Sequence, residues 1–248
     1  MRLKMNPSKT ELIYFGSKRQ LEKCRLDSME VENSIVNRSD CITLLGCSLD
    51  KNLSFLKHIN NQCRKAMINF YRIKSIRPYI TKEACEVLVH GLIMSHLDYG
   101  NCLLYGLPSK FIWKFQRIQN MSAKLILNLK AYDASVTRAK IDLHWLPIAE
   151  RIEYKILILV FKCIWNEAPP YLQALINQRH ASRNTRSSNT ITLEIPFVRK
   201  STHAWRSFSV CGPTLWNSLP EYMRNILDFK KFKSSLKTYL FKRCYNVQ

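Results

Sequence analysis

The sequence predicts an α+β fold that is mainly helical, with a small N-terminal set of antiparallel strands followed by a helical bundle and further helices. Three observations carry this. Residues 10–50 hold short apolar runs broken by Gly and by polar turns, the mark of short strands. From Ser54 the apolar spacing lengthens to a helical period, which carries most of the chain to about Asn166 and returns in the last helix. The hydrophobic fraction of 46% is enough to bury a core, while only 6 Gly in 248 residues exclude collagen-like and Gly-rich repeats.

The strands come first. Thr10 to Phe15 ends at Gly16. Ile42 to Leu45 meets Gly46, and Cys47 to Leu49 follows, closed by a turn at Asp50-Lys51-Asn52. Ser17 to Arg25, between these strands, is polar and shows no period.

The first helix begins near Ser54, with Phe55, Ile59, Cys63, Ala66, Phe70 and Ile73 on one face and Pro78 as its stop. Lys57, Arg64 and Arg72 share another face. Thr81 reads as the N-cap of a second helix, with Glu83 in its first turn, running through Asp98 towards Gly100. A third follows Pro108 and Ser109. Its core stripe is Phe111, Phe115, Ile118, Ser122, Leu125 and Leu129, and Lys110, Lys114, Arg117 and Lys124 lie beside it. Leu88 and Leu92 join Phe55, Ile59, Phe70, Phe115, Ile118 and Leu125 as the expected interior of this bundle.

A further helix spans Ile148 to about Asn166 and ends at Ala168-Pro169-Pro170. Residues 178–190 read as a basic linker, and Thr190 to Ile195 as a short strand. Aromatic residues mix with Gly212-Pro213 over 203–218. Asp228 caps a last helix, with Phe229, Phe232, Leu236 and Leu240 inward and Lys230, Lys233 and Lys237 outward. Trp145, Trp165, Trp205 and Trp216 are expected in the core. These segments divide the chain into 1–52, 53–140, 141–177 and 178–248.

Charge narrows the function. The net charge is +21, too basic for an ordinary metabolic enzyme and suited to a polyanion. It is concentrated: residues 51–140 carry 15 basic and 4 acidic side chains, and residues 178–248 carry 13 and 3, whereas 141–177 is nearly neutral. A surface that merely keeps a protein in solution mixes signs. The excess therefore favours nucleic acid as the partner, and the basic faces of 51–140 as the contact.

Other classes find little support. The longest apolar run, Ile156 to Phe161, is far short of the ~20 residues of a membrane span, so no membrane is expected. Nine scattered Cys, with no Cys-x-x-Cys pair, read as reduced thiols of an intracellular protein rather than a disulfide framework or zinc site. No Gly-rich phosphate loop and no nucleophile elbow occur, and no cofactor is expected. Two-metal phosphoryl transfer needs clustered carboxylates, and no two of the seven Asp are adjacent. Asp98, late in an apolar helix, reads as structural.

Several segments together resemble a known family. Leu3-Lys4-Met5-Asn6-Pro7-Ser8-Lys9-Thr10-Glu11 resembles the L-x-x-N-x-x-K-T-E segment of reverse transcriptases from non-LTR (LINE) retrotransposons of the jockey and chicken-repeat type. Leu44-Leu45-Gly46-Cys47-Ser48-Leu49-Asp50 resembles their primer-grip hairpin. His58-Ile59-Asn60, Ile76-Arg77-Pro78, Leu97-Asp98-Tyr99-Gly100-Asn101, Leu104-Tyr105-Gly106-Leu107-Pro108, Leu143-His144-Trp145-Leu146-Pro147 and Leu215-Trp216-Asn217-Ser218-Leu219-Pro220 are similar to later landmarks, in the same order.

The resemblance implies a palm remnant over 1–52, a thumb-like bundle over 53–140 that holds template–primer duplex, and a C-terminal region beyond. It implies that Lys9 matches the palm lysine that assists the leaving pyrophosphate, and that Leu45 and Gly46 match the primer grip. The family's metal-binding aspartates precede the segment matched by Leu3 to Glu11, so the resemblance implies a fragment without polymerase activity. The expected partner is the backbone of a duplex or RNA–DNA hybrid, without sequence preference. The alternatives are a decayed transposon-derived protein with a protein-interaction role or none, and binding to a membrane surface through the basic last helix.

Overall fold

Four short strands, paired across two-residue separations, fold as two hairpins near the start of the chain. The computed structural model describes residues 6, 9–16, 18–24, 27–31, 34–130, 135–179, 190–198 and 203–246. The chain forms two compact units, Met1–Arg64 and Lys65–Gln248. The architecture is the mainly helical α+β class, with two small antiparallel strand pairs ahead of the helices.

In the first unit, α1 (Lys18–Lys23) occupies the polar stretch that lacked a period. β1 (Ser28–Val31) pairs with β2 (Ser34–Asn37), with Met29 opposite Val36 and Glu30 opposite Ile35. This hairpin was not foreseen. β3 (Cys41–Leu44) pairs with β4 (Cys47–Asp50), with Ile42 opposite Leu49. Leu45 and Gly46 turn it with φ of 46° and 77°. Two left-handed residues give the twist that a two-residue hairpin needs. The expected strand at Thr10–Phe15 is reduced to one parallel bridge, Leu12 to Arg38. Arg38 lies just past the end of β2, so Leu12 meets a strand end rather than a strand edge.

Asp50 then redirects the chain. Its carboxylate accepts from the backbone N–H of Asn52, Ser54 and Phe55 at 3.2, 3.0 and 2.8 Å and from the Ser54 hydroxyl at 3.1 Å. The Ser54 hydroxyl in turn accepts from the Leu56 N–H at 3.3 Å. Together they satisfy donors that the start of α2 (Leu56–Ile76) would leave open.

In the second unit, Thr81 caps α3 (Lys82–Val89), its hydroxyl accepting from the Ala84 N–H at 3.2 Å. The helix continues through a π-turn, His90–Met94, into α4 (Ser95–Asp98). Asn69 on α2 donates to the Leu92 carbonyl at 2.8 Å and ties α2 to that turn. The π-turn inserts a residue into the repeat. The buried face therefore runs Cys85, Val89, Ile93, Met94 and Leu97, and Leu92 is 43% exposed. Leu88, ahead of the turn, and Leu125, on another helix, are half-buried against expectation. Of the rest of the expected interior, Phe70, Phe115 and Ile118 are buried in this unit, and Phe55 and Ile59 are buried residues of the first.

The core is built around α7 (Ile148–Ile164), which buries Ile148, Ile152, Ile156, Leu157, Val160, Phe161, Cys163 and Ile164 and is apolar almost all round. It packs against α5 (Ser109–Ile126), α9 (Phe208–Asn217) and α11 (Phe229–Tyr245). Phe161 stacks on Phe232 at 4.5 Å between ring centres, and Trp216 lies 5.6 Å from Phe232. At Gly212 an added Cβ would sit 2.9 Å from Val160 Cγ2, so glycine permits this approach of α9 to α7. The helix passes through Pro213 rather than breaking there.

Buried glutamines latch α5 to the start of α7. Gln116 Oε1 accepts from the Ile148 N–H at 2.9 Å, and Gln119 Nε2 donates to the Leu146 carbonyl at 2.9 Å. Short helices α6 (Val136–Asp142), α8 (Pro170–Gln173) and α10 (Glu221–Arg224) complete the unit. Asp228 caps α11, accepting from the Lys231 N–H at 2.6 Å. The strand expected at Thr190–Ile195 is a single bridge, Leu193 to Gln178, because Asn217 occupies both backbone groups of Leu193 at 2.9 and 2.8 Å. Trp205 is 52% exposed, against expectation, since it falls in a single 3₁₀ turn, Ala204–Arg206, with no helical face to bury it. The basic linker expected at 178–190 lies mostly outside the described residues. Among the described residues no helix is long and apolar enough to cross a membrane.

Candidate nucleic-acid interface

The helical period decides where each cation points. On α5 the interior takes Phe115, Ile118, Ser122 and Ile126, which leaves Lys110, Lys114 and Arg117 exposed on one side, at spacings of four and three residues. The Lys110 ammonium lies 5.2 Å from the centre of the Phe111 ring. Arg72 is exposed on α2 in the same unit.

Lys124 belongs to a different cluster. It is half-buried and lines a cleft of about 420 Å³ with Lys74, Arg77 and Asn128, at the C-terminal ends of α2 and α5. Arg77 is engaged there with backbone carbonyls: Leu125 at 2.9 Å, Ile126 at 3.0 Å and Ile80 at 3.0 Å. It satisfies the end of α5, a structural duty for a cation at a helix C-terminus.

Some other cations are withdrawn from solvent or paired. Lys140 is buried, 5.9 Å from the Tyr245 ring centre, and burial pulls its pKa below the ordinary lysine value. Arg138 pairs with Asp142 at 3.1 Å. Asp98 is a joint between α4 and α7. It forms an ion pair with Arg151, accepts from Arg151 Nε at 2.9 Å, and its carbonyl accepts from Lys155 Nζ at 3.0 Å.

In the first unit, Lys9 is exposed in a short 3₁₀ turn, and Lys57 and Arg64 are exposed on the first turns of α2. Leu45 and Gly46 form the hairpin tip, where Leu45 is 86% exposed with left-handed backbone. A Leu at φ 46° is uncommon, since its Cβ crowds the backbone there.

One residue escaped the reading of the sequence. Trp113 stands between Lys110 and Arg117 on the outer side of α5 and is 58% exposed. Its position, three residues after Lys110 and four before Arg117, is the signal that marks it. It lines an apolar cleft of about 370 Å³ with Tyr105, Gly106, Ile112 and Ile152. Among the described residues no group of three or more His, Cys, Asp or Glu side chains is arranged to hold a metal ion.

The chain matches no protein-family model, and no curated protein and no solved structure is significantly similar to it.

Proposed function

We propose that the chain is a reverse-transcriptase-derived module that binds the phosphate backbone of a nucleic-acid duplex, RNA–DNA hybrid included, without sequence preference and without polymerase chemistry of its own. The observation that supports this reading most is the one-signed outer face of α5, where Lys110, Lys114 and Arg117 are all exposed. Cations one helical turn apart suit successive phosphates and carry no means of reading base edges. The scattered aspartates support the absence of polymerase chemistry, because the charge that develops at a transferred phosphorus needs metal ions held by carboxylates. The segments similar to non-LTR retrotransposon enzymes support the origin, and they set the thumb-like segment where the charge excess also falls.

The test is the salt dependence of binding. Phosphate contacts release counterions, so log affinity falls with log salt with a slope of roughly −0.9 per phosphate neutralised. Changing Lys110, Lys114 and Arg117 together to Gln is expected to flatten that slope by about two to three units, at unchanged helical content. The matching triple change at Lys230, Lys233 and Lys237, exposed on α11, serves as control and alters the slope far less. A slope indifferent to the α5 change, on folded protein, overturns the proposal.

A second reading is favoured by exposed strand residues: Met29, Ile35 and Leu44 present apolar surface on two-stranded pairs. Such pairs suit a sheet completed by another polypeptide, a protein-interaction role. Concentration-dependent association abolished by Ile35→Lys would support it over backbone binding.

A further inference from the structure

The cleft beside Trp113 joins features that phosphate binding alone does not use. Two α5 cations neighbour an exposed indole, Lys110 one turn before it and Arg117 one turn after, and Lys114 is the next residue along the helix. The indole opens onto an apolar cleft of about 370 Å³, at the lower end of the ~300–1,000 Å³ typical of small-ligand sites. Tyr105 supplies a second aromatic wall. Gly106, at φ 69°, turns the rim, where an added Cβ would meet Arg206 Cγ at 2.8 Å.

Two of the polar side chains at the cleft are engaged elsewhere. Gln116 accepts from Ile148 and donates to Gln119 and Asn120, both at 2.8 Å. The Glu153 carboxylate is ion-paired with Arg243, which neutralises the acidic charge at the rim. The cleft thus offers flat apolar faces inside and cations outside. That is the combination by which single-stranded nucleic acid is held, with bases stacked on aromatics and phosphates on Lys and Arg.

We infer that the Trp113–Tyr105 cleft receives an unpaired nucleobase of a single strand that continues from the duplex whose phosphates lie on Lys110, Lys114 and Arg117. The site therefore takes a single-stranded tail next to a duplex, and it takes any base, because every base has a face that can stack on an aromatic ring. A base is the occupant that this charge pattern suits, since the strand carrying it is a polyanion and the exposed cations of α5 lie beside Trp113 on the same helix. The inference rests on the nucleic-acid reading of α5.

The experiment compares full-length protein with Trp113→Ala and Trp113→Phe on three probes at one salt concentration. The probes are a blunt RNA–DNA hybrid, the same hybrid with a short single-stranded tail, and that tail with abasic sites. Wild type is expected to bind the tailed hybrid about 10-fold more tightly than the blunt one, on the scale of stacking one base. The abasic tail and Trp113→Ala each lose that advantage, Trp113→Phe keeps most of it, and blunt-hybrid affinity stays the same throughout. Because Trp113 is largely exposed, Trp113→Ala is expected to fold, and circular dichroism checks this.

A tail advantage that survives in folded Trp113→Ala, or that the abasic tail reproduces, overturns the inference. So does a Trp113→Ala change that alters only sedimentation, which would make a second copy of the chain the occupant. If wild type binds the blunt hybrid with no gain from the tail, this inference fails and the backbone reading stands. If wild type binds no probe, both fail.

Discussion

The first unit is held by turns and the second by its core. In the first, the strands bury only Val36 and Ser48 among their described residues, while Met29, Ile35 and Leu44 are exposed. Its strands and turns are ordered by local polar bonds: four to the Asp50 carboxylate, and Asp40 paired with Lys51 at 2.9 Å. A lone two-stranded hairpin is marginal in water, so such bonds matter. The second unit buries Trp216, Phe115, Phe161 and Phe232 almost completely. The contrast teaches that one sequence stretch is shaped by turn chemistry with apolar surface left over, and the other by apolar burial with charge left over. That leftover charge is the candidate interface.

The largest break in this comparison is expected at Phe115, fully buried on α5. Phe115→Asp would bury an unpaired charge and remove an aromatic from the core, which costs about 3–5 kcal/mol. Leu45→Asn, at the hairpin tip, is expected to do the opposite. Asn tolerates the left-handed backbone that Leu strains against, and Asn-Gly is the favoured pair for this turn, so it adds up to about 1 kcal/mol. Urea denaturation of both variants checks the pair. Equal and small effects would mean that α5 does not carry the core.

Gly212→Ala comes next. Its Cβ would lie 2.9 Å from Val160 Cγ2 between two packed helices, where neighbours yield little. Overpacking of this kind costs about 1–3 kcal/mol. Melting like that of wild type would show that α9 and α7 shift apart freely.

Much of this was legible in the sequence, and the failures have physical causes. α2, α5, α7 and α11 follow from period and caps, because burial of one face and satisfaction of the first N–H groups are local demands. Thr81 and Asp228 accept from Ala84 and Lys231 in the way caps should. The π-turn at His90–Met94 was invisible, because an inserted residue changes the register without changing composition. β1 and β2 were missed although Ile35-Val36 is β-branched, since Glu30 and Asn37 dilute the pattern. Helix α9 overrides the Gly212-Pro213 signal, with Val210, Cys211, Leu215 and Trp216 buried on either side of it.

For the site, the exposed faces of Lys57, Arg64, Arg72, Lys110, Lys114 and Arg117 were legible, since a cation opposite an apolar stripe faces water. The separate placement of Lys124 was not, because it depends on where the C-terminal ends of two helices meet. Trp113 was passed over, as its type suggests a core and only the fold shows it outside.

Thiol labelling sharpens the comparison by a smaller effect. Cys24 and Cys41 in the first unit are half-exposed, whereas Cys85, Cys163 and Cys211 in the second are buried. Burial pushes the Cys211 thiol up to about 11, which removes the reactive thiolate at neutral pH. Alkylation followed by peptide mapping is expected to modify Cys24 and Cys41 under native conditions, and Cys85, Cys163 and Cys211 only on unfolding. Early labelling of Cys211 would mean that α9 opens without global unfolding.

The smallest expected effect is a pH dependence of the second unit. His90 and His96 both have pKa values held below the ordinary histidine value, by burial first. For His90, Glu86 works against that shift from 3.8 Å, and for His96, Lys65 adds to it. The unfolded chain titrates near 6.5. Below that pH the unfolded state binds more protons than the folded one, so protonation favours unfolding. The stability these neutral imidazoles preserve is complete above about pH 6.5 and declines as pH falls through the folded values. Both side chains are partly exposed, so solvent screens the effect and the decline is shallow. Replacing both with Gln removes the titrating groups while keeping polarity. The melting temperature of the double variant is then expected to vary less than that of wild type between about pH 7 and pH 5. Parallel profiles for the two proteins would mean that neither His90 nor His96 carries the acid sensitivity.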